Sequence, residues 1–234
     1  MTDPHDLRFD APLYTLTEAS RHLIVPRATI ETWANGYERR PRPGAVVKGQ
    51  PIITSMAPIQ RGYAQLPFVG IAEAYVLNAF RRAGVPMQRI RPSIEWLVKN
   101  VGQHALASKD LYTDGAEVLW HFAQQSGEGD EVVKHLIVPR SGQYVFKDIV
   151  EHYLKQIRFG EDKYANTIRL TQYGTADVVL DPYRGYGQPI FDSSGARVSD
   201  ALGPLREGET FKAVAEDYGV SEKDLRVALD AIAA

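Results

Sequence analysis

The chain has 234 residues and a formal net charge of −2, and 44% of its residues are hydrophobic and 24% charged. This composition is typical of a globular protein with one large domain or two small ones, and the absence of cysteine excludes disulfides, thiolate metal ligands and cysteine nucleophiles. The polar start MTDPHD does not resemble a secretory signal and no apolar run approaches the ~20 residues of a membrane helix, so we expect a cytoplasmic protein without membrane contact.

Residues 14–36 predict two short helices joined by a tight turn. Thr15 and Glu18 have the spacing of a capping box at the start of the first helix. Pro26 is disfavoured inside a helix, so the chain is expected to stop near residues 24–25 and to restart, and Gly36 is expected to end the second helix. The apolar residues at helical spacing, which we expect to be buried, are Leu16, Ala19, Leu23, Ile30, Trp33 and Ala34.

Three residues of the second helix remain on its outer side. Arg27, Thr29 and Thr32 lie in its early part, from which a recognition helix contacts base edges in the major groove. The pattern therefore predicts a helix-turn-helix that binds DNA. A helical hairpin used only for packing is the alternative interpretation.

The segment YERRPRPGAVVKGQPIITS predicts two short strands, at Val46–Val47 and Ile52–Ile53, with a turn at Lys48–Gly49, which would form a wing. Its guanidinium groups at Arg39, Arg40 and Arg42 can make bidentate contacts with phosphates. Residues 1–110 contain 14 Lys and Arg against 9 Asp and Glu, whereas residues 111–234 contain 13 against 20. The helix-turn-helix pattern thus falls in the positive part of the chain, which favours DNA binding. A solvated basic loop is the alternative.

Two further helices are predicted at residues 69–84 and from about residue 86 to residue 101. The first is expected to bury one face, and Arg91 lies near the start of the second, where the helix dipole does not favour a cation. The expected buried residues are Ala72, Val76, Ala79, Phe80 and Ala83 in the first helix, and Ile90, Ile94, Leu97, Val98 and Val101 in the second.

From about residue 105 the pattern indicates strands. Asp114–Gly115 and Ser141–Gly142 are typical hairpin turns, a short helix is predicted at 145–157, and a strand follows at 166–172. The loop DPYRGYGQP at 181–189 is expected to open a second unit, and residues 193–209 are expected to be irregular with short strands.

The C-terminal stretch predicts a second helical hairpin. Gly219 separates its two helices, and Ser221 with Asp224 caps the second. Between residues 207 and 230 there are seven acidic residues and three basic ones, which favours protein contact or dimerisation over DNA binding. The expected buried residues are Phe211, Val214, Ala215, Tyr218, Leu225, Ala228, Leu229 and Ile232.

No motif of an enzyme active site is recognisable. The six histidines lack the spacing of zinc ligands, and the HExxH, GxxxxGKS, GxGxxG and GxSxG motifs are absent. Asp181 and Asp192 flank a glycine-rich loop, where turn formation explains them better than acid–base chemistry does. We therefore predict no catalytic residue, no metal, no cofactor and no enzymatic activity.

Residues 14 to about 101 resemble the winged helix-turn-helix of MerR-type regulators. The resemblance rests on YTLTEASRHLIVPRATIETW, on the wing, and on NAFRRAGVPMQRIRPSIEWL. Residues 178–234 resemble the small family called domain of unknown function 433, through GQPIFDSSGARVSDALGPLREGETFKAVAEDYGVSEKDLRVALD. The combination is similar to the long VapB-type antitoxins.

This resemblance implies a type II antitoxin that neutralises a PIN-type ribonuclease toxin and represses its own promoter. It implies an α+β chain with a MerR-like winged helix-turn-helix at 1–102, a strand-rich middle at 103–176 and a helix-turn-helix interaction domain at 177–234. A homodimer is expected, but without the long coiled-coil helix of MerR dimers. The implied DNA contacts are Arg27, Thr29, Thr32, Arg39, Arg40, Arg42 and Lys48.

For the toxin contact, the sequence suggests the loop at 181–189. PIN-type sites are rich in carboxylates, which an inserted Arg184 would neutralise, and Tyr183 and Tyr186 beside it are of a type favoured at interfaces. The alternative is a loop that packs its tyrosines on its own domain.

Two other functions remain open. One is a ligand-responsive MerR-type regulator with a pocket in the middle of the chain. The other is an interaction scaffold with a degenerate helix-turn-helix, since Glu31 stands where MerR-type recognition helices usually have arginine. The pocket would be lined by Tyr112, Trp120, Phe122 and Tyr144.

Overall fold

The computed structural model describes residues 6–40, 44–82, 87–100, 102–113, 139–140, 143–144 and 155–233. The chain forms two compact units, one of residues 1–155 with 159–165, the other of residues 156–158 with 166–234. Helices and strands occur in both units, so the predicted α+β class is confirmed.

The two helices of the predicted hairpin begin and end where the sequence predicts. A short helix α1 (Leu7–Asp10) precedes α2 (Leu16–Leu23) and α3 (Arg27–Asn35). The backbone N–H of Glu18 donates to Thr15 Oγ1 at 3.1 Å and the N–H of Thr15 donates to Glu18 Oε2 at 2.8 Å, which is a complete capping box. These contacts confirm the predicted helix-turn-helix pair.

The C-terminal end of α3 is closed by the chain that follows the wing. The Trp33 carbonyl accepts the N–H groups of Ile52 and Ile53 at 2.8 and 3.3 Å, and the Ala34 carbonyl accepts the hydroxyl of Ser55 at 2.7 Å. These bonds satisfy carbonyls that a helix end leaves without an intrahelical partner. On its inner side, α3 buries Ile30, Trp33 and Ala34, as predicted.

A two-stranded wing follows α3. Strands β1 (Tyr37–Arg39) and β2 (Val47–Gly49) are antiparallel, with Glu38 opposite Lys48. The predicted turn at Lys48–Gly49 is wrong, since both residues belong to β2. The predicted second strand at Ile52–Ile53 is also wrong, because these side chains are buried and their N–H groups bond to α3 instead of to a neighbouring strand.

The next helix runs through the interior of the first unit. Helix α4 (Phe68–Arg82) is buried at every position from 68 to 80, and it contacts α1, α2 and α3. The predicted burial of Ala72, Val76, Ala79 and Phe80 is confirmed, but burial is not restricted to that face, because neighbours surround the helix on several sides. Helix α5 (Met87–Asn100) follows. The predicted burial of Ile90, Ile94 and Leu97 is confirmed, whereas that of Val98 is wrong. Residues 83–84 and 101 lie outside the described residues.

Polar side chains of α4 hold the helix-turn-helix in place. Glu73 is almost fully buried, and its carboxylate accepts the N–H of Thr54 at 2.5 Å and the hydroxyl of Thr54 at 3.1 Å. The Nδ1 atom of His104 lies 3.1 Å from the same carboxylate. Asn78 donates to the Leu23 carbonyl at 3.1 Å, at the end of α2. The central helix thus fixes both the end of α2 and the segment that closes α3.

The half-buried histidine of α2 makes the first unit sensitive to acid. Burial lowers the pKa of His22 from 6.5 to about 4, so the unfolded chain binds a proton at mild acid pH and the folded chain does not. The contribution to stability is therefore complete above pH 6.5 and is lost as the pH falls towards 4, by about 3 kcal/mol in total. We expect His22→Asn to lose this part of the pH dependence in urea unfolding at pH 7, 5.5 and 4. Equal losses for both proteins would contradict the assignment.

The middle of the chain differs in part from its predicted strands. Residues Ala105–Ala107 form a 3₁₀ turn and α6 spans Asp110–Thr113, so the strand predicted here is wrong. Strands β3 (Pro139–Arg140) and β4 (Gln143–Tyr144) pair antiparallel, which confirms the second predicted hairpin. The hairpin at 114–115 and most of the helix at 145–157 lie outside the described residues, as do Trp120 and Phe122.

Residues 159–165 join the first unit through Arg8. The guanidinium of Arg8 is held by Asp6 (Nη2 to Oδ2, 2.6 Å) and by the carboxylate of Asp162 (Nη1 to Oδ1, 3.2 Å). Nearby, the ring of Phe9 makes an edge contact with Tyr164 at 5.3 Å between centroids. Arg8 and Asp6 are both buried, so this ion pair belongs to the core of the unit.

The second unit contains a sheet and three helices. Its strands pair in chain order, β5 (Ile157–Phe159), β6 (Ala165–Arg169), β7 (Val178–Leu180) and β8 (Ile190–Phe191). Helices α7 (Val198–Arg206), α8 (Phe211–Tyr218) and α9 (Glu222–Ala233) follow. The strand predicted around residues 166–172 is confirmed, and the unit already includes strands that precede the loop at 181–189.

The C-terminal helices fit their predicted caps. The N–H of Asp224 donates to Ser221 Oγ at 3.1 Å, and Gly219 ends α8 in a left-handed conformation. The irregular structure predicted for 193–209 is wrong, because α7 tolerates Pro204 near its end while Leu202 is buried. The predicted burial of Ile232 is also wrong, since that side chain is exposed.

In the part of the chain that the structure describes, no helix combines the length and the apolar character needed to cross a bilayer. The same residues include no group of three or more histidine, aspartate or glutamate side chains placed to hold a metal ion.

Candidate nucleic-acid interface

The outer face of α3 carries the three residues that the sequence assigns to base contact. Arg27 is exposed and pairs with Glu31 one turn later, at 2.9 Å. Thr29 is half-buried, and the hydroxyl of Thr32 donates to the Ala28 carbonyl at 2.8 Å. An exposed pair of this kind contributes only about 0.3–0.5 kcal/mol, so Arg27 can exchange Glu31 for a phosphate at little cost.

The wing presents cations around one carboxylate. Glu38 pairs with Arg40 at 3.1 Å and with Lys48 at 3.2 Å, and the side chains of both cations remain more than two-thirds exposed. Arg39 is exposed and its guanidinium lies 5.1 Å from the ring centroid of Tyr37. Arg42 lies outside the described residues. The wing cations that the structure describes therefore stay at the surface and are not buried in ion pairs.

Helix α5 adds a further arginine next to the wing. Arg91 Nη1 donates to the carbonyl of Gln50 at 2.5 Å, and its guanidinium lies 5.1 Å from the centroid of the Tyr37 ring. A cleft of about 350 Å³ lies between α3, β1 and α5. Its lining includes Thr29, Thr32, Arg39 and Arg91. Hydroxyl and guanidinium groups from three elements thus face one cleft.

The local charge of this surface is positive. Among the residues of α3, the wing and the first turns of α5 whose side chains the structure describes, the cations are Arg27, Arg39, Arg40, Lys48 and Arg91, and the carboxylates are Glu31 and Glu38. The excess of three positive charges suits the phosphate backbone of a duplex.

Sequence reasoning missed two residues of this surface, Tyr37 and Glu38. The sequence predicted that Arg91 lies near the start of a helix, but it did not predict the contact of Arg91 with the wing. The available signal was the tyrosine directly after Gly36 with arginines close behind it in the chain.

The loop at 181–189 shows a different arrangement around its arginine. Arg184 pairs with Asp181 at 2.7 Å and with Asp192 at 2.5 Å. Hydrogen bonds from Arg158 and Arg184 hold the pKa of Asp192 below its usual range. Tyr183 and Tyr186 are exposed, the latter by 77%. The positive charge that the sequence assigns to toxin contact is therefore already paired with two carboxylates of its own chain.

Helices α2 and α3, followed by the wing, define this chain as a helix-turn-helix protein. A family model described as "Putative DNA-binding HTH domain" matches residues 12–94. The chain is 72% identical over 232 residues to "Putative antitoxin VapB45" of Mycobacterium tuberculosis (strain ATCC 25618 / H37Rv), across 98% of this chain and 97% of the relative. It therefore belongs to the same family of VapB-type antitoxins with a DNA-binding helix-turn-helix.

Two further similarities cover almost the whole chain. It is 26% identical over 240 residues to "Uncharacterized protein Rv2308" of the same organism, across 94% of this chain and 90% of that protein. The X-ray crystal structure of Rv2018 from Mycobacterium tuberculosis is similar in fold, with a TM-score of 0.82 and 67% sequence identity. That match covers 96% of this chain and all of the other.

Proposed function

We propose that this protein is the antitoxin of a type II toxin–antitoxin system, which represses its own promoter and neutralises a PIN-type ribonuclease toxin. The observation that carries the DNA-binding part is the convergence of α3, the wing and α5 on one cleft that Thr29, Arg39 and Arg91 line. The family supports the antitoxin part.

The proposal also assigns a role to each part of the chain and to individual residues. MerR-like residues 1–102 bind the promoter, residues 103–176 form the middle part of the chain, and residues 177–234 contact protein. The protein acts as a cytoplasmic homodimer without enzymatic activity. The proposed DNA contacts are Arg27, Thr29, Thr32, Arg39, Arg40, Arg42 and Lys48, and the proposed toxin contacts are Tyr183, Arg184 and Tyr186.

Electrostatic attraction to phosphates makes the DNA-binding part testable. We expect the double variant Arg39→Ala, Arg40→Ala to bind a duplex from its own promoter at least about tenfold more weakly at moderate salt. The slope of log affinity against log salt concentration should fall by about 1.8, because each lost phosphate contact removes about 0.9. Fluorescence anisotropy between 50 and 200 mM salt measures both quantities.

A control variant tests whether weaker DNA binding comes from the loss of the wing contacts or from the lower total positive charge of the protein. The double variant Arg206→Ala, Arg226→Ala removes the same number of charges from exposed positions of the second unit. It should retain wild-type affinity and slope. If both double variants behave alike, the wing is not the phosphate contact.

The antitoxin part is tested by co-expression with the product of each adjacent gene. We expect one of them, a PIN-type ribonuclease, to co-purify with this protein and to be inactive in the complex. If no adjacent gene product forms a complex, the antitoxin assignment fails for this chain.

A further inference from the structure

We propose that Tyr186 and Arg197 form a rigid platform on the second unit that binds a carboxylate on the surface of the toxin. This inference rests on the proposed antitoxin function and names the chemistry of its protein contact. The platform consists of these two side chains, which stack on each other, and of the loop at residues 181–189 that holds them. Arg184, one of the proposed toxin contacts, also positions the loop of this platform through Asp181 and Asp192.

The loop is fixed before any partner binds. The carboxylate of Asp181, itself only 7% exposed, accepts the N–H groups of Tyr183 and Arg184 at 2.9 and 3.2 Å. It also accepts Nε of Arg184 at 2.7 Å, and the Asp181 carbonyl accepts the N–H of Gly187 at 3.1 Å. Arg184 Nη2 reaches Asp192 at 2.5 Å. Binding therefore does not have to order this loop, which favours affinity.

Tyr186 has a backbone conformation that the fold does not explain by burial. Gly185, Tyr186 and Gly187 all have positive φ, at 61°, 55° and 73°. A tyrosine is strained in this left-handed region, whereas glycine adopts it freely. The Tyr186 side chain is 77% exposed, so packing does little to offset the strain. Strained residues of this kind are concentrated at binding sites, and an exposed tyrosine is a common anchor at protein interfaces.

Arg197 supplies a cation beside this ring. Its guanidinium lies 5.5 Å from the centroid of the Tyr186 ring. Arg158 and Arg184 both pair with Asp192, but no carboxylate among the described residues pairs with Arg197. The positive charge of this half-buried arginine is therefore not neutralised within the described part of the chain. Stacking on the aromatic ring restricts its orientation, which prepares it for a carboxylate.

The net charge of the helical hairpin in the same unit favours a protein over a nucleic acid as the partner. The hairpin has seven acidic residues against three basic ones between positions 207 and 230. This negative charge repels a phosphate backbone, whereas a single carboxylate needs only one local cation. A tyrosine with an adjacent arginine is also the composition of protein-binding hot spots.

The experiment compares full-length variants in complex with the ribonuclease encoded by the adjacent gene. Tyr186→Gly removes the ring and relieves the strain, so the variant is expected to fold, and a thermal melt verifies this. Arg197→Ala removes the cation. Each change is expected to raise the dissociation constant for the toxin at least about tenfold, measured by calorimetry, while affinity for the promoter duplex stays unchanged.

Arg226→Ala is the matched control. Arg226 also stacks on an aromatic ring of the second unit, at 3.9 Å from the Phe211 centroid, but it pairs with Glu222. Its replacement should leave toxin affinity unchanged, and Arg197→Lys should retain more affinity than Arg197→Ala.

Three results would overturn the inference. If both Tyr186→Gly and Arg197→Ala bind the toxin with wild-type affinity, the platform is not the toxin contact, while the antitoxin function itself still holds. If these variants lose affinity for the promoter duplex but bind the toxin normally, the platform binds nucleic acid and not the toxin. A wild-type protein that binds no ribonuclease would overturn the antitoxin function and this inference together.

Discussion

Gly36→Ala is expected to lower the free energy of unfolding by about 2–4 kcal/mol and to weaken promoter binding at least about tenfold. Gly36 ends α3 with φ 73° and ψ −166°, a region essentially restricted to glycine. A Cβ atom here would also overlap the carbonyl oxygen of Gly49 in β2. Because the obstacle is backbone, neither α3 nor the wing can accommodate it by rotating a side chain. Urea unfolding and duplex titration measure the two effects.

Gly62→Ala is a control that introduces backbone strain without the steric overlap expected at Gly36. Gly62 also has a positive φ, at 89°, but a Cβ atom there meets nothing within 4 Å. We expect this control to lose only about 1 kcal/mol and to bind DNA normally. If Gly36→Ala is no more harmful than Gly62→Ala, the contact between Gly36 and Gly49 does not set the position of the wing.

Arg8→Ala is expected to destabilise the first unit by about 3–5 kcal/mol, because it removes the buried guanidinium that pairs with the buried carboxylate of Asp6 and with Asp162. The exposed pair of Arg27 and Glu31 provides the control, and Arg27→Ala should cost less than about 1 kcal/mol. Urea unfolding at pH 7 compares the two variants. Similar losses would show that Arg8 stabilises the fold no more than a surface arginine does.

The pairing of Arg8 with Asp162 predicts that the stability of the fold depends on pH. The hydrogen bond from Arg8 lowers the pKa of Asp162 in the folded chain. A carboxylate with a lowered pKa stabilises the fold above its ordinary pKa, and this contribution is lost as the pH falls through the lowered value. In Arg8→Ala the pKa of Asp162 should return towards its ordinary range, which NMR titration of its carboxyl carbon can measure.

Local chemistry made the helix-turn-helix predictable from sequence. Thr15 with Glu18, Pro26 and Gly36 act within a few residues of their own position, so their spacing determines where α2 and α3 begin and end. The cap of α9 at Ser221 was predictable for the same reason.

Long-range contacts account for the predictions that were wrong. Ile52 and Ile53 have the apolar character of a strand, but their N–H groups bond to Trp33 in α3. Helix α4 shows one apolar face in its pattern, yet residues such as Glu73 and Asn78 on its polar positions are also buried, because other elements supply their partners. Nothing near these residues in the sequence identifies such partners.

The ion pairs of Arg184 could not be predicted from the sequence either. An arginine between two tyrosines in a glycine-rich loop has the composition of an interface, and both tyrosines are indeed exposed. Its pairing with Asp192, however, depends on β8, which lies after the loop, and on the sheet that positions it. A sequence pattern identifies exposed loops more readily than it identifies the pairing of each charge within them.

The closed end of α3 has a consequence for the speed of association with DNA. Carbonyls of its last turn accept hydrogen bonds from Gly36, Ile52, Ile53 and Ser55 within the chain itself. The helix-turn-helix is thus preassembled, and no folding step at this helix end has to accompany its encounter with DNA. Association with DNA is then limited by diffusion and by the mutual orientation of two rigid partners.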